Sequence, residues 1–227
     1  MRRMIGVLAT AGVLAPGAAM AQASFEGVVS YRMTGQGMTL DVTHHVREDR
    51  VRQEMSGPMG DMAMIIDLRA QSMTMLMPAQ SAYVTMDMST LEQAAAPDAS
   101  TEVEITPTGR KETIAGIECE HYALRTGDNE IDICGATGMG FYMAGGMRSM
   151  SGPDGGPRSA LGVSDAVNAR LRAYFKDGLF PLKMTMPIEG GGELTIVATG
   201  VEKKELPDEL FVVPPGYTEM KLPRIGG

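Results

Sequence analysis

The chain has 227 residues, a formal net charge of −8, 44% hydrophobic side chains, 21 methionines, two cysteines and no tryptophan. An acidic chain with its Lys and Arg scattered excludes a nucleic-acid binder, because phosphate recognition needs grouped cations. Neither a CxxC redox motif nor the spacing of a sequence-encoded zinc site is present, so in an exported chain the even cysteine count predicts one disulfide, Cys119–Cys134.

The first 21 residues read as a signal peptide: Arg2 and Arg3 form a basic region, Ile5 to Ala15 an apolar core, and Ala19-Met20-Ala21 a small-x-small cleavage site. That core is far shorter than the ~20 residues a membrane helix requires, and no cysteine follows it to carry a lipid. The expectation is an exported protein, periplasmic first and extracellular second, with no membrane span after signal removal. The mature chain, residues 22–227, is long enough for one ordinary domain with its own core and is read as a monomer.

Beyond the signal, apolar residues recur at every second position, the period of a strand. FEGVVSYRM sets Phe25, Val29, Tyr31 and Met33 against Glu26, Ser30 and Arg32. After the TGQG turn, MTLDVTHHV sets Met38, Leu40, Val42, His44 and Val46 against Thr39, Asp41, Thr43 and His45. VRQEM follows, with Arg52 and Glu54 on one side. Met62, Met64, Ile66 and Leu68 share the next face, opposite Ala63, Ile65, Asp67 and Arg69. Met73, Met75 and Met77 share another, and after PAQSA the face continues with Val84, Met86 and Met88. Strands with one apolar and one polar side predict an antiparallel sheet with one face wet.

The Ala-rich interval up to Pro97 predicts a short helix over residues 90–95 and then a loop. From Thr113, TIAGIECEHYALR reads as one strand and EIDICGA as its partner. A two-residue turn at Thr126-Gly127 would place His121 opposite Asp132 and Cys119 opposite Cys134. Residues 135–162, dense in Gly, Ser, Pro and Met, read as a flexible loop. Residues 164–177 carry helical spacing at Val167, Leu171, Tyr174 and Phe175, with Ser164 as N-cap and Gly178 as the stop. FPLKMTM, with Leu182, Met184 and Met186 on one face, and LTIVATGV form a last hairpin. ELPDELFVVPPGYTEM ends the chain as a tight turn and an extended tail suited to a sheet edge.

The order FEGVVSYRM, MIIDLRAQSMTMLMP, TIAGIECEHYAL, GLFPLKM, LPDELFVVPPGYTEM resembles an uncharacterised bacterial exported domain-of-unknown-function family grouped with the lipoprotein carriers LolA and LolB. The resemblance implies a mainly β fold, a curved antiparallel sheet forming an incomplete half-barrel, with helices covering the concave face. It carries over no functional residue.

The chemistry centres on methionine. Met62, Met64, Ile66, Met73, Met75, Met77, Met86, Met88, Met184 and Met186 fall on apolar faces and form the expected ligand-binding surface, because flexible thioethers adapt to variable apolar partners. The working expectation is a non-catalytic binding protein for a lipid or a lipidated polypeptide. One alternative is Cu(I) binding by Met73, Met75 and Met77, by Met55, Met59, Met62 and Met64 with His44 or His45, or by Met139, Met143, Met147 and Met150. Another is a structural envelope-interaction module. His44 and His45 point to opposite faces of one strand and read as a core-plus-surface pair. His121 near Asp132 reads as a cross-strand polar contact. No GxSxG, HExxH or EF-hand pattern supports an enzyme, and the motifs assign no cofactor and no metal.

Overall fold

Alternating apolar and polar side chains can bury one face only if the strands pair, and here they pair into one sheet. The computed structural model describes residues 25–57, 60–88, 103–126, 129–139, 170, 173–175, 178–188 and 191–221. The strands are β1 (Gly27–Gly35), β2 (Met38–Arg47), β3 (Arg50–Gly57), β4 (Gly60–Asp67), β5 (Ser72–Met77), β6 (Ala82–Asp87), β7 (Val103–Ile114), β8 (Ile117–Thr126), β9 (Asn129–Ala136), β10 (Phe180–Pro187), β11 (Glu193–Lys203) and β12 (Thr218–Glu219). They form a twelve-stranded curved sheet in the order β12-β6-β5-β4-β3-β2-β1-β11-β10-β9-β8-β7. Every pairing is antiparallel except β12 with β6, and β12 and β7 are the edges, so the sheet is open.

The core follows from the alternation. Val29, Tyr31, Val46, Ile66, Met73, Leu124, Ile133, Leu182, Met184 and Ile196 belong to one buried cluster on the inner face. Gln36 and Gly37 both have positive φ (49° and 74°), the backbone of a two-residue hairpin turn whose twist matches its strands.

Several expectations are revised. The segment read as one strand from Thr113 is broken at Ala115 and Gly116, both at positive φ (50° and 78°), into the hairpin of β7 and β8. β7 itself was not foreseen, although Val103 and Ile105 alternate correctly. The β8–β9 register is two residues from the one expected: Thr126 faces Asn129, His121 faces Cys134, and Ala123 faces Asp132. A slip of two keeps every side chain on its face, so Cys119 and Cys134 still meet, diagonally, with Cα atoms 5.4 Å apart in a disulfide.

The outer face of β4 to β6 is not wet. Ala63, Ile65 and Leu76 are buried beneath Tyr83, Val213 and Tyr217. The C-terminal segment is strapped over that face: Arg47 donates to the Leu206 carbonyl (2.8 Å) and Arg52 to that of Leu210 (3.2 Å). Arg47 and Arg50 both hold Asp208, at 3.0 and 2.9 Å. The strap ends as β12 on the β6 edge, the position its prolines suggested.

Of the loop expected over 135–162, Gly135 and Ala136 belong to β9 and Met139 packs on the core. Gly135 has no room for a Cβ, which would lie 2.0 Å from Leu179 Cδ1. Of the expected helical cover, Arg170, Ala173 and Tyr174 have helical backbone, and Phe175 enters the core edge-on to Tyr122, 4.7 Å between ring centroids. The remainder of residues 164–177, the 90–95 helix, the signal peptide and residues 140–162 lie outside the described residues.

Candidate functional site

The strand registers arrange the inner face in rows running across the strands. One row is Val29, His44, Gln53, Met64, Met75 and Val84; the next contains Tyr31, Val42, Met55 and Met62; a third joins Val46, Val51, Ile66, Met73 and Met86. Methionines therefore stand directly opposite one another across neighbouring strands as Met55/Met62, Met64/Met75 and Met73/Met86. A fourth row, on the other half of the sheet, runs Met33, Ile196, Met184, Ile133 and Tyr122.

Nine of the ten nominated residues belong to strands whose inner faces build this surface, and Met88, just past the end of β6, packs into the same core, but the ten are not equivalent. Met64, Ile66, Met73, Met88, Met184 and Met186 are buried, whereas Met62, Met75, Met77 and Met86 are half-buried. The half-buried group lies together on β4 to β6. Met184 and Met186 lie on β10, reached from β4 only across β3, β2, β1 and β11.

Two polar residues interrupt the methionine row. His44 is 3% exposed and Gln53 5%. Burial, reinforced by neighbouring His45, pushes the His44 imidazole down to about 3, so it is neutral at physiological pH. Its ring lies 5.2 Å from that of Tyr31, whose hydroxyl donates to the Pro181 carbonyl at 2.9 Å and whose phenol burial pushes up. Gln53 Oε1 is buried without a hydrogen-bond partner among the described residues. Sequence reasoning overlooked Gln53, although its position between Arg52 and Glu54, which point outward, already turned it inward.

On the outer face, β7 to β10 carry a second polar group. His121, 4% exposed, lies between two carboxylates: Nδ1 is 2.5 Å from Asp132 Oδ1, and Nε2 is 3.1 Å from Glu112 Oε2. Arg110 donates to Asp132, and Lys183 to Glu112 at 3.2 Å. Burial opposes ionisation of Glu112, but the bonds from Lys183 and His121 prevail and hold its carboxyl below the usual glutamate value. A bulge between Pro107 and Lys111 brings Arg110 over the cluster, with Thr108 bonded to the His121 carbonyl (3.0 Å). The cross-strand contact of His121 and Asp132 exists, though the two are diagonal neighbours.

An open, curved antiparallel sheet with an apolar, methionine-lined inner face is the class of protein that these features define. The chain belongs to the DUF4412 family, a domain of unknown function, whose model matches residues 25–217. No curated protein matches its sequence. An uncharacterised conserved protein from Thermus thermophilus is similar in structure, with 11% identity, TM-score 0.50, and coverage of 88% of this chain and 91% of that one. The LolA superfamily is represented among similar structures by NE2245 from Nitrosomonas europaea, with 13% identity, TM-score 0.35, and coverage of 85% and 91%. PNGF-II is similar at 15% identity and TM-score 0.42 over 85% of this chain, which spans 30% of that protein's length. No helix among the described residues is long and apolar enough to cross a membrane.

Proposed function

We propose that the protein is an exported, non-catalytic carrier that holds an apolar ligand, a lipid or the acyl chain of a lipidated polypeptide, against the inner face of β3 to β6. The observation that carries this reading is the meeting, on one face, of half-buried Met62, Met75, Met77 and Met86 with a buried acceptor, Gln53 Oε1, that has no partner among the described residues. Thioethers rearrange around apolar chains at little cost. An unsatisfied buried acceptor costs about 1–3 kcal/mol, and a ligand with an N–H or O–H donor beside its chain relieves it. The sequence resemblance to the lipoprotein carriers supports the same reading.

The test is native mass spectrometry of the gently purified mature protein, followed by titration with a fluorescent long-chain acyl amide. Saturable binding is expected, and Gln53→Met weakens it about 5-fold, the worth of one net hydrogen bond of ~1 kcal/mol. A protein that carries no lipid and takes up no probe sinks the proposal.

The register favours one second reading, Cu(I) binding. Directly opposed strand residues have Cβ atoms about 4.5–5.5 Å apart, so the Met55/Met62 and Met64/Met75 pairs offer thioethers to one soft ion, which spacing along a single strand does not. Titration with Cu(I) against a strong chelator separates the two readings: affinity unchanged in Met55→Leu/Met62→Leu and in Met64→Leu/Met75→Leu removes copper.

A further inference from the structure

The polar group on the outer face has a use that a carrier role does not absorb. Donor atoms of Glu112, His121 and Cys134 lie within 4.8 Å of one another. Cys119 Sγ is bonded to Cys134 Sγ, which brings a second sulfur alongside this group. The four residues come from three adjacent strands, β7, β8 and β9, and their spacing along the chain resembles no zinc motif.

We propose that reduction of the Cys119–Cys134 disulfide converts this cluster into a tetrahedral Zn(II) site with Cys119, Cys134, His121 and Glu112 as ligands. Two thiolates, an imidazole and a carboxylate are a donor set that zinc accepts at ~2.3 Å to sulfur and ~2.0 Å to nitrogen and oxygen. Tetrahedral bonds of that length put nitrogen and oxygen about 3.3 Å apart, and His121 Nε2 already stands 3.1 Å from Glu112 Oε2. Two thiolates on one zinc lie about 3.8 Å apart, a separation that side-chain rotation supplies across a Cα distance of 5.4 Å.

The surroundings match a metal site beyond its ligands. With Nε2 turned to the metal, Nδ1–H donates to Asp132, the carboxylate–histidine arrangement that fixes the tautomer and orients the ring. Arg110 braces Asp132, and Lys183 bonds Glu112. These cations offset the single negative charge left when Zn(II) binds two thiolates and one carboxylate.

The chemistry balances with a dithiol as reductant. The dithiol transfers two electrons and two protons to the disulfide, leaving two protein thiols and its own disulfide. Zinc then displaces one proton from each thiol as the two Zn–S bonds form. The oxidised chain presents the same histidine and glutamate but no thiolate, so the site is set by thiol redox state.

The experiment uses the full mature chain, phosphine-reduced or disulfide-bonded, titrated with Co(II) and then with Zn(II). The reduced protein is expected to give the strong visible bands of tetrahedral cobalt with a thiolate charge-transfer band, at one ion per chain, and the oxidised protein neither. His121→Gln weakens binding at least about 10-fold, and Asp132→Asn, which acts only through His121, about 10–100-fold. If the reduced apoprotein unfolds, one equivalent of zinc restores its circular dichroism. The proposal is overturned by a folded reduced protein without tetrahedral bands, by bands and affinity that His121→Gln and Glu112→Gln leave unchanged, or by an unfolded reduced protein that zinc fails to refold.

Discussion

The two flanks of the sheet solve the same packing problem differently. β3 to β6 carry no covalent link, are apolar apart from Gln53 on the inner face and partly apolar on the outer one, and are held by methionine packing and the C-terminal strap. β7 to β9 carry the disulfide and an outer-face network of Arg110, Asp132, His121, Glu112 and Lys183, with a single apolar side inward. The contrast teaches that one alternating pattern supports both an adaptable surface and a rigid one. What separates them is side-chain stiffness and cross-linking rather than strand count.

Removing the cross-link is the largest way to break that contrast. Cys119→Ala with Cys134→Ala deletes a link closing a separation of 15 residues, and a loop of that size predicts a loss of about 3 kcal/mol. Urea unfolding followed by circular dichroism measures it; a loss under about 1 kcal/mol would show that the polar network alone fixes this flank.

Acid probes the methionine-lined side through His44 of β2, which pairs with Gln53 at the border of that flank. Its native imidazole is pushed down to about 3 from an ordinary 6.5, so on unfolding below pH 6.5 the chain takes up a proton that the native state refuses. Stability is complete above 6.5 and declines as pH falls toward 3, with a slope approaching ~1.4 kcal/mol per pH unit. Between pH 6 and 5, above the range in which carboxylates titrate, His44→Phe should flatten the slope of unfolding free energy against pH. An unchanged slope assigns the proton elsewhere.

The smallest effect sharpens the comparison most. Met75→Leu and Met77→Leu keep volume and polarity while removing flexibility, so each should change stability by less than about 1.5 kcal/mol. Loss of acyl-amide affinity without loss of stability would tie the adaptability of β4 to β6 to binding; equal affinity would reduce these methionines to filler.

Much of the fold was legible because strand alternation is local. Val29 and Tyr31, Met64 and Ile66, and Met73, Met75 and Met77 were assigned to inward faces by period alone, and the registers put them there. The β7–β8 hairpin was missed because Ala115 is an unusual residue for positive φ, so only Gly116 marked the turn. The disulfide was legible from the cysteine count, but its diagonal geometry was not, since the sequence admits registers two residues apart that bury the same faces.

By itself the sequence determined most of the strands, their inward faces and the pairing of Cys119 with Cys134, because period two and cysteine parity need no distant information. Only the tertiary structure decided that Ala63, Ile65 and Leu76 are dry, because Val213 and Tyr217, which help cover them, arrive from the far end of the chain. It also decided that Gln53 Oε1 is buried without a partner among the described residues and that Glu112, His121 and Cys134 converge, with Cys119 bonded to Cys134. Such placements depend on strand order and register between segments far apart in the chain, which local spacing does not encode.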